Sequence, residues 1–204
     1  MHNAEGANPL GVYAKEKKDL MAKRANKTDS DLKRLAEIDF LTSLYWSDEL
    51  GGLYMPVENV RKMLLEAARS MDQRKAKKQI IGVKLDAPVG WPLDVVRIGD
   101  KKTKELKDVS PEKILELLLA DGGNKYFKMV TVQRSKTPNT KARFTNWEFT
   151  AEFEVDTEIV DPGTVEGWWE YARTRIGLGA RRPYGPTPGQ YGIFQIDDYQ
   201  EIKE

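Results

Sequence analysis

The sequence predicts a chain of mixed α and β structure. Apolar residues recur every three or four positions through 57–71 and again through 162–176, and this spacing predicts two amphipathic helices. Apolar and polar residues alternate over 127–133 and 144–155, and this alternation predicts strands. The fold class is therefore α+β, because strands and helices both occur and do not alternate regularly along the chain.

The composition is that of a globular domain. The chain has 204 residues, of which 40% are hydrophobic and 32% charged, and this suffices for one domain over 1–204 with a core of its own. No stretch approaches the roughly 20 apolar residues that span a bilayer. The first residues, Met1 to Gly6, carry no apolar signal core. We therefore expect a cytoplasmic protein that does not engage a membrane.

Several classes of chemistry lack the residues they need. The chain has no cysteine, which excludes disulfides, thiolate catalysis and zinc–cysteine sites. Its one histidine is His2, near the N-terminus, so histidine triads, histidine general bases and histidine-rich metal sites have almost no residues to draw on. These absences favour a binding protein without cofactor or metal over an enzyme.

The formal net charge of +1 conceals a segregated pattern. Residues 73–84 contain five bases and no acid, whereas the sequence after Pro183 turns acidic through Asp197, Asp198 and Glu201. Such segregation suits a polyanionic partner, and the alternative is a set of solvated lysine faces. Residues 122–146 also lack acids and carry six bases, namely Lys125, Lys128, Arg134, Lys136, Lys141 and Arg143.

The first part of the chain, 1–50, is predicted to be helical. A helix with a thin apolar face is expected over 13–25. A second is expected to begin at the capping sequence Thr28 to Asp31 and to end before Gly51. An extended segment, 53–56, then leads into the helix 57–71, whose polar face would carry Arg61, Lys62, Glu66 and Arg69.

The later elements follow the same rules. A strand is expected over 80–85, followed by an insertion, 86–122, with a helix beginning at Ser110-Pro111. The two alternating segments would form a hairpin, 127–156, with a basic tip from Arg134 to Arg143. After the helix that begins at Asp161-Pro162, in which at least one of Trp168 and Trp169 is expected in the core, a last strand is predicted over 191–196.

Without the insertion, this order approaches the ferredoxin-like arrangement β-α-β-β-α-β, which is also that of RRM-like domains. The residues before Asn8 are too few and too polar to supply its first strand. That strand is either missing or contributed by another segment or chain.

A loop of glycine, proline and arginine over 177–192 is the strongest candidate for a binding site. Glycines let backbone N–H groups approach an anion closely, and the adjacent Arg181 and Arg182 could grip phosphate. Tyr184 or Tyr191 could stack on a base. The alternative is a surface turn whose arginines merely cap the preceding helix.

Two segments resemble the RAMP superfamily, RRM-like proteins that include the RNA-covering backbone subunits of CRISPR effector complexes. The segment LYMPVENVRKML, residues 53–64, resembles the element "IPGSSLKGALR" of that group. The segment GLGARR, residues 177–182, with GQYG at 189–192, resembles its glycine-rich loop "GGRRSRGFGR". Small stand-alone phage proteins have a similar appearance. The departures are Val57 and Glu58 after the proline, Lys62 in place of a helix glycine, and extra prolines in the loop.

The resemblance implies non-catalytic, sequence-tolerant binding of single-stranded RNA or another nucleic acid, with subunits assembling side by side into a homo-oligomer. It places Arg181 and Arg182 at the phosphates, with Gly177, Gly179 and Tyr184 in the same loop. It also implies nucleic-acid contacts from Asn59, Arg61 and Lys62 on the first helix, and from Arg134, Lys136, Lys141 and Arg143 on a thumb-like projection.

Two other functions stay open at this point. The same fold could form a protein–protein interaction module, such as a phage inhibitor of a host defence complex or a structural subunit, and the acidic C-terminal run favours this. A metal-dependent ribonuclease would use Asp29 and Asp31, although those residues also form an ordinary helix cap. The run from Asp197 to Glu201 could bind a cation or a basic neighbour, or be a solvated tail.

Overall fold

The computed structural model describes residues 12–23, 26–47, 49–50, 52–93, 97–98, 101–102, 109, 113, 116–117, 120, 125–132, 135–144, 146–179, 182–185 and 188–202. These residues form helices and small antiparallel sheets, so the α+β class is confirmed. In chain order the elements are α1 (Val12–Ala22), α2 (Asp29–Leu41), β1 (Trp46–Ser47), β2 (Gly52–Pro56), α3 (Val57–Met71), α4 (Ala76–Gln79), β3 (Val83–Leu85), β4 (Gly90–Pro92), β5 (Arg97–Ile98), β6 (Lys101–Lys102), β7 (Lys125–Val132), β8 (Ser135–Ala142), β9 (Phe153–Val155) and α5 (Pro162–Tyr171).

The chain divides into two compact units, and the single domain over 1–204 stays a prediction. The helix-pair unit comprises 55–91 and 150–204, and the hairpin unit comprises 2–54 and 92–149. Most of the predicted insertion and of the predicted hairpin therefore belongs to the same unit as the N-terminal helices. The helix predicted to begin at Ser110-Pro111 lies mostly outside the described residues.

A capping box starts α2 of the hairpin unit, as its sequence predicts. The backbone N–H of Asp31 donates to Thr28 Oγ1 at 3.3 Å, and the N–H of Thr28 donates to Asp31 Oδ2 at 2.9 Å. Ion pairs join α1 to α2, with Lys17 Nζ 2.6 Å from Asp39 Oδ1 and Arg34 Nε 2.7 Å from Glu16 Oε1. Polar contacts thus compensate for the thin apolar face of α1.

The helix α2 ends at Leu41, well before the predicted stop at Gly51. The hydroxyls of Thr42 and Ser43 donate to the carbonyls of Ile38 and Phe40, at 2.8 and 2.7 Å, and satisfy acceptors at the end of the helix. The chain then forms β1, which pairs antiparallel with β2, and β2 lies between β1 and β4 in the strand order.

The observed hairpin differs from the predicted one. The strand β7 pairs antiparallel with β8 from Lys125 opposite Ala142 to Val132 opposite Ser135. Most of the predicted basic tip is thus a strand, in which Thr140 stands across from Phe127 and Thr137 across from Val130 in the register. Of the described residues within 144–155, only those of β9 form a strand, and Trp147 stacks on Phe149 with ring centroids 6.0 Å apart.

The packing of α3 against α5 forms the core of the helix-pair unit. The predicted apolar face of α3 is confirmed except at its end, where Met71 is 51% exposed. Glu66, predicted on the polar face, is buried. The fully or almost fully buried residues of this core include Val60, Met63, Leu64, Ala67, Ala68, Val165, Trp168 and Ile176.

Sequence signals define both ends of α5. The Thr164 N–H donates to Asp161 Oδ2 at 3.1 Å, and Pro162 occupies the first turn. Trp168 and Trp169 are both buried, which confirms that at least one belongs to the core. A π-helical turn, Ala172–Ile176, continues the helix and ends at Gly177, whose φ of 73° suits glycine.

The predicted βαββαβ sheet is not seen among the described residues. The strand β2 stands directly before α3, where the predicted arrangement lacks its first strand, but it pairs with β1 and β4. The strand β3 pairs antiparallel with β9, and β5 with β6. Residues 191–196 form no strand, although their side chains alternate between exposed and half-buried.

No helix in the described part of the chain combines the length and the apolar character needed to cross a membrane.

The carboxylate of Asp31 should make the stability of the protein depend on pH. The Lys23 ammonium and the Thr28 backbone N–H lower the pKa of Asp31 to about 2, whereas unfolded aspartate titrates near pH 4. Since the folded pKa is the lower one, the stabilisation is complete above about pH 5 and is lost as pH falls towards 2. Replacing Asp31→Asn should therefore lower the melting temperature at pH 7 but change it little near pH 2.

Thermal unfolding of both proteins from pH 7 to pH 2 measures this difference. Asp29→Asn, an equal charge change at an exposed first-turn position, serves as the control. A difference between wild type and Asp31→Asn that stays constant over the whole range would contradict the assignment.

Candidate nucleic-acid interface

The glycine–arginine loop is closed at its base. The Leu178 N–H donates to the Gly192 carbonyl at 2.8 Å, so the two ends of the 177–192 segment meet as they do in an Ω-loop. Leu178 is 3% exposed and anchors this base in the core. The described parts of the loop, 177–179, 182–185 and 188–192, thus extend from one fixed point of the helix-pair unit.

The glycines at the base of the loop serve its closure. Gly177 and Gly192 have φ values of 73° and 78°, which other residues rarely adopt. A Cβ on Gly177 would lie 2.9 Å from Pro183 Cδ, and one on Gly192 would collide with the Leu178 carbonyl. Gly179 differs, because a Cβ there would meet nothing within 4 Å. Of the two glycines predicted at the phosphates, only Gly179 thus has open space where its side chain would be.

Arg182 forms an ion pair with Glu66 of α3. Arg182 Nη2 lies 2.6 Å from Glu66 Oε2, and the two side chains are only 11% and 12% exposed. The contact does not have the angles of a hydrogen bond, and Arg182 Nη1 has no hydrogen-bond partner among the described residues. The guanidinium therefore neutralises a buried carboxylate and is mostly withdrawn from solvent.

Backbone contacts hold the residues around Arg182. The Gly189 N–H donates to the Arg182 carbonyl at 3.0 Å, and the Tyr184 N–H makes a long contact of 3.4 Å with the Ile176 carbonyl. Tyr184 itself is 41% exposed. The loop thus carries an exposed aromatic ring two residues after its buried anchor.

The ion pair brings the two segments of the family resemblance together. Glu66 lies just beyond the first segment, 53–64, and Arg182 belongs to the second. Arg61 and Lys62 are exposed on α3, whereas Asn59 is 2% exposed and would have to be uncovered to reach a ligand. Arg181 lies outside the described residues.

The basic residues of the hairpin belong to the other unit. Lys141 and Arg143 are half-buried. Lys136 is in β8, and only its backbone position is described; Arg134 lies outside the described residues. The loop and the hairpin, which both carry predicted nucleic-acid-binding residues, thus belong to different units.

A run of exposed arginine and lysine residues lies along the solvent side of α3 and continues past the end of the helix. Its charge was visible in the sequence, but only Arg61 and Lys62 were predicted as binding residues. All its members are exposed, and among the described residues only Lys75 has an acidic partner, Asp72, at 3.9 Å. We call this the basic surface; it consists of Arg61, Lys62, Arg69, Arg74, Lys75, Lys77 and Lys78.

Two of the acidic candidates, Asp31 and Asp198, have structural partners. Asp31 completes the capping box and lies 2.6 Å from Lys23 Nζ. Within the described ranges, no three acidic or histidine side chains are grouped so that they could hold a metal ion. In the C-terminal run, Asp197 and Asp198 are exposed, and Asp198 accepts a hydrogen bond from Gln200 at 2.6 Å.

Gly192 and Gly179, which share a φ of 78°, offer a matched test of loop closure. Gly192→Ala should lower the free energy of unfolding by roughly 3 kcal/mol, because it adds a clash with Leu178 to the backbone strain. Gly179→Ala has the strain alone and should cost about 1 kcal/mol. Urea denaturation compares them, and equal losses would contradict closure at Gly192.

Removing one partner of the buried ion pair should be more harmful than removing both. Glu66→Ala or Arg182→Ala leaves a buried charge without its partner and should cost about 3 kcal/mol of unfolding free energy. The double variant leaves no such charge, so its loss should be clearly smaller than the sum. A double-mutant cycle by urea denaturation measures the coupling, and strict additivity would contradict the pairing.

Comparison of the chain with protein-family models, with curated proteins and with solved structures found no match.

Proposed function

We propose that this protein binds single-stranded nucleic acid, primarily RNA. The binding is largely independent of sequence and involves no catalysis. The observation that carries the proposal is the basic surface of the helix-pair unit. Seven basic side chains on and after α3 are exposed, and only one of them, Lys75, has an ion-pair partner among the described acidic side chains. Such cations would gain salt-dependent affinity by releasing counterions from phosphates.

The position of the loop supports the same proposal. Arg182 reaches α3 at Glu66, and Lys62 lies one helical turn before Glu66, while Arg69 lies almost one turn after it. The exposed Tyr184 is close along the chain to this contact. Cations beside an exposed aromatic ring are the usual elements of a sequence-tolerant single-strand site, since every base can stack and every nucleotide carries a phosphate.

The resemblance to the RAMP superfamily adds the remaining parts of the proposal. In that group subunits pack side by side along RNA, so we propose a cytoplasmic homo-oligomer that forms on its nucleic acid. A ferredoxin-like relationship belongs to the same proposal, and it is supported by the order β2, α3, β3, β9, α5 along the chain. It further predicts that nucleic acid co-purifies in lengths that rise by a fixed step.

A salt series of binding to a labelled single-stranded RNA tests the proposal. Replacing Lys62, Arg69 and Lys77 by glutamine should weaken binding at low salt. It should also reduce the slope of log K against log salt by up to about 2, at roughly 0.7 for each lost phosphate contact. The matched control replaces Lys15, Lys18 and Lys33, three exposed lysines of α1 and α2, and should leave the slope unchanged.

Three outcomes would contradict the proposal. They are no binding by the wild type at low salt, a flat salt dependence, or an equal effect of the two triple variants. A defined oligomer without nucleic acid, seen by size-exclusion chromatography with light scattering, would favour the protein–protein module instead. Cleavage of the RNA in magnesium that depends on Asp29 and Asp31 would favour the ribonuclease.

A further inference from the structure

We infer that Arg182 is a positioning residue, which holds Tyr184 in place as a stacking surface for a base, and that it is not itself a phosphate ligand. This inference rests on the proposed function and assigns separate tasks within it. The basic surface would bind the phosphates, and the loop would bind a base through Tyr184.

The surroundings of Arg182 argue against its binding phosphate. Its side chain is 11% exposed, Nη2 lies 2.6 Å from Glu66 Oε2, and Nη1 is buried, so a phosphate could reach the guanidinium only by opening this enclosed contact. Opening it would leave the Glu66 carboxylate buried without its counter-charge, which is strongly unfavourable. The contact is therefore suited to holding the loop in place rather than to exchanging partners.

Contacts of the neighbouring residues restrain the backbone next to Tyr184. Pro183 packs at the position that a Gly177 side chain would occupy, and the Arg182 carbonyl accepts the Gly189 N–H at 3.0 Å. Tyr184 follows these restraints and remains 41% exposed. A ring on a restrained backbone loses little conformational entropy when a base stacks on it, so loss of the anchor should weaken stacking.

Glu66→Gln gives opposite predictions for the two possible roles of Arg182. If Arg182 bound phosphate, removal of the competing carboxylate would free the guanidinium, tighten RNA binding and steepen the salt dependence. If Arg182 anchors the loop, the same change loosens Tyr184 and weakens binding without altering the slope. The sign of the change in affinity therefore distinguishes the roles.

The experiment compares an adenine oligonucleotide with an abasic oligonucleotide of the same length and charge. Tyr184→Ala should weaken binding of the adenine oligonucleotide roughly tenfold and leave the abasic one unaffected, whereas Tyr184→Phe should bind like the wild type. Arg182→Gln and Glu66→Gln should reproduce the loss of Tyr184→Ala, and Arg182→Lys should lose less. Combining Arg182→Gln with Tyr184→Ala should add no further loss.

A second measurement follows the anchor without nucleic acid. Chymotrypsin cleavage after Tyr184 should be faster in Arg182→Gln than in the wild type under conditions where both are folded. An unchanged rate would overturn the anchoring role.

The binding results distinguish this inference from the function on which it rests. Tighter binding by Glu66→Gln, or equal losses on both oligonucleotides, would overturn the inference while the proposed function stands. No binding of either oligonucleotide by the wild type would overturn the proposed function and the stacking role of Tyr184 together.

Discussion

The ion pair between Glu66 and Arg182 is the interaction on which the organisation of the candidate site depends. It joins α3 to the loop that follows α5, two segments far apart in the sequence. Both side chains are largely enclosed, so neither charge can lose its partner without a large cost. The pair lies at the junction of helix and loop, two residues before the exposed Tyr184.

Closure of the loop adds a backbone constraint to this electrostatic one. Gly177 and Gly192 occupy positions where a side chain would be strained and would collide with neighbouring atoms. A glycine-rich sequence is easily interpreted as mobile or as a cradle for an anion. Here two of its glycines allow close packing of the chain on itself, whereas Gly179 and Gly185 have open space where a side chain would lie. A restrained loop presents its exposed residues in a defined place.

The partner of each charge separates structural cations from those that could bind a ligand. Arg182, Lys17, Lys23 and Arg34 each pair with a carboxylate, and they organise helices or the loop. The basic surface, in contrast, is exposed, and only Lys75 has an acidic partner among the described residues. A sequence shows how many charges a segment carries, but it does not show which of them are neutralised by a partner in the folded protein.

The sequence by itself determined the elements whose signals are local. The capping box at Thr28, the Asp161-Pro162 start of α5, the apolar face of α3 and the burial of at least one of the two tryptophans all follow from neighbours within a few residues. Tertiary structure decided what depends on distant partners: the pairing of β7 with β8 and the burial of Glu66 beside Arg182. The physical reason is that strand pairing and charge neutralisation depend on which atom comes near from elsewhere in the chain, and residue periodicity carries no information about that.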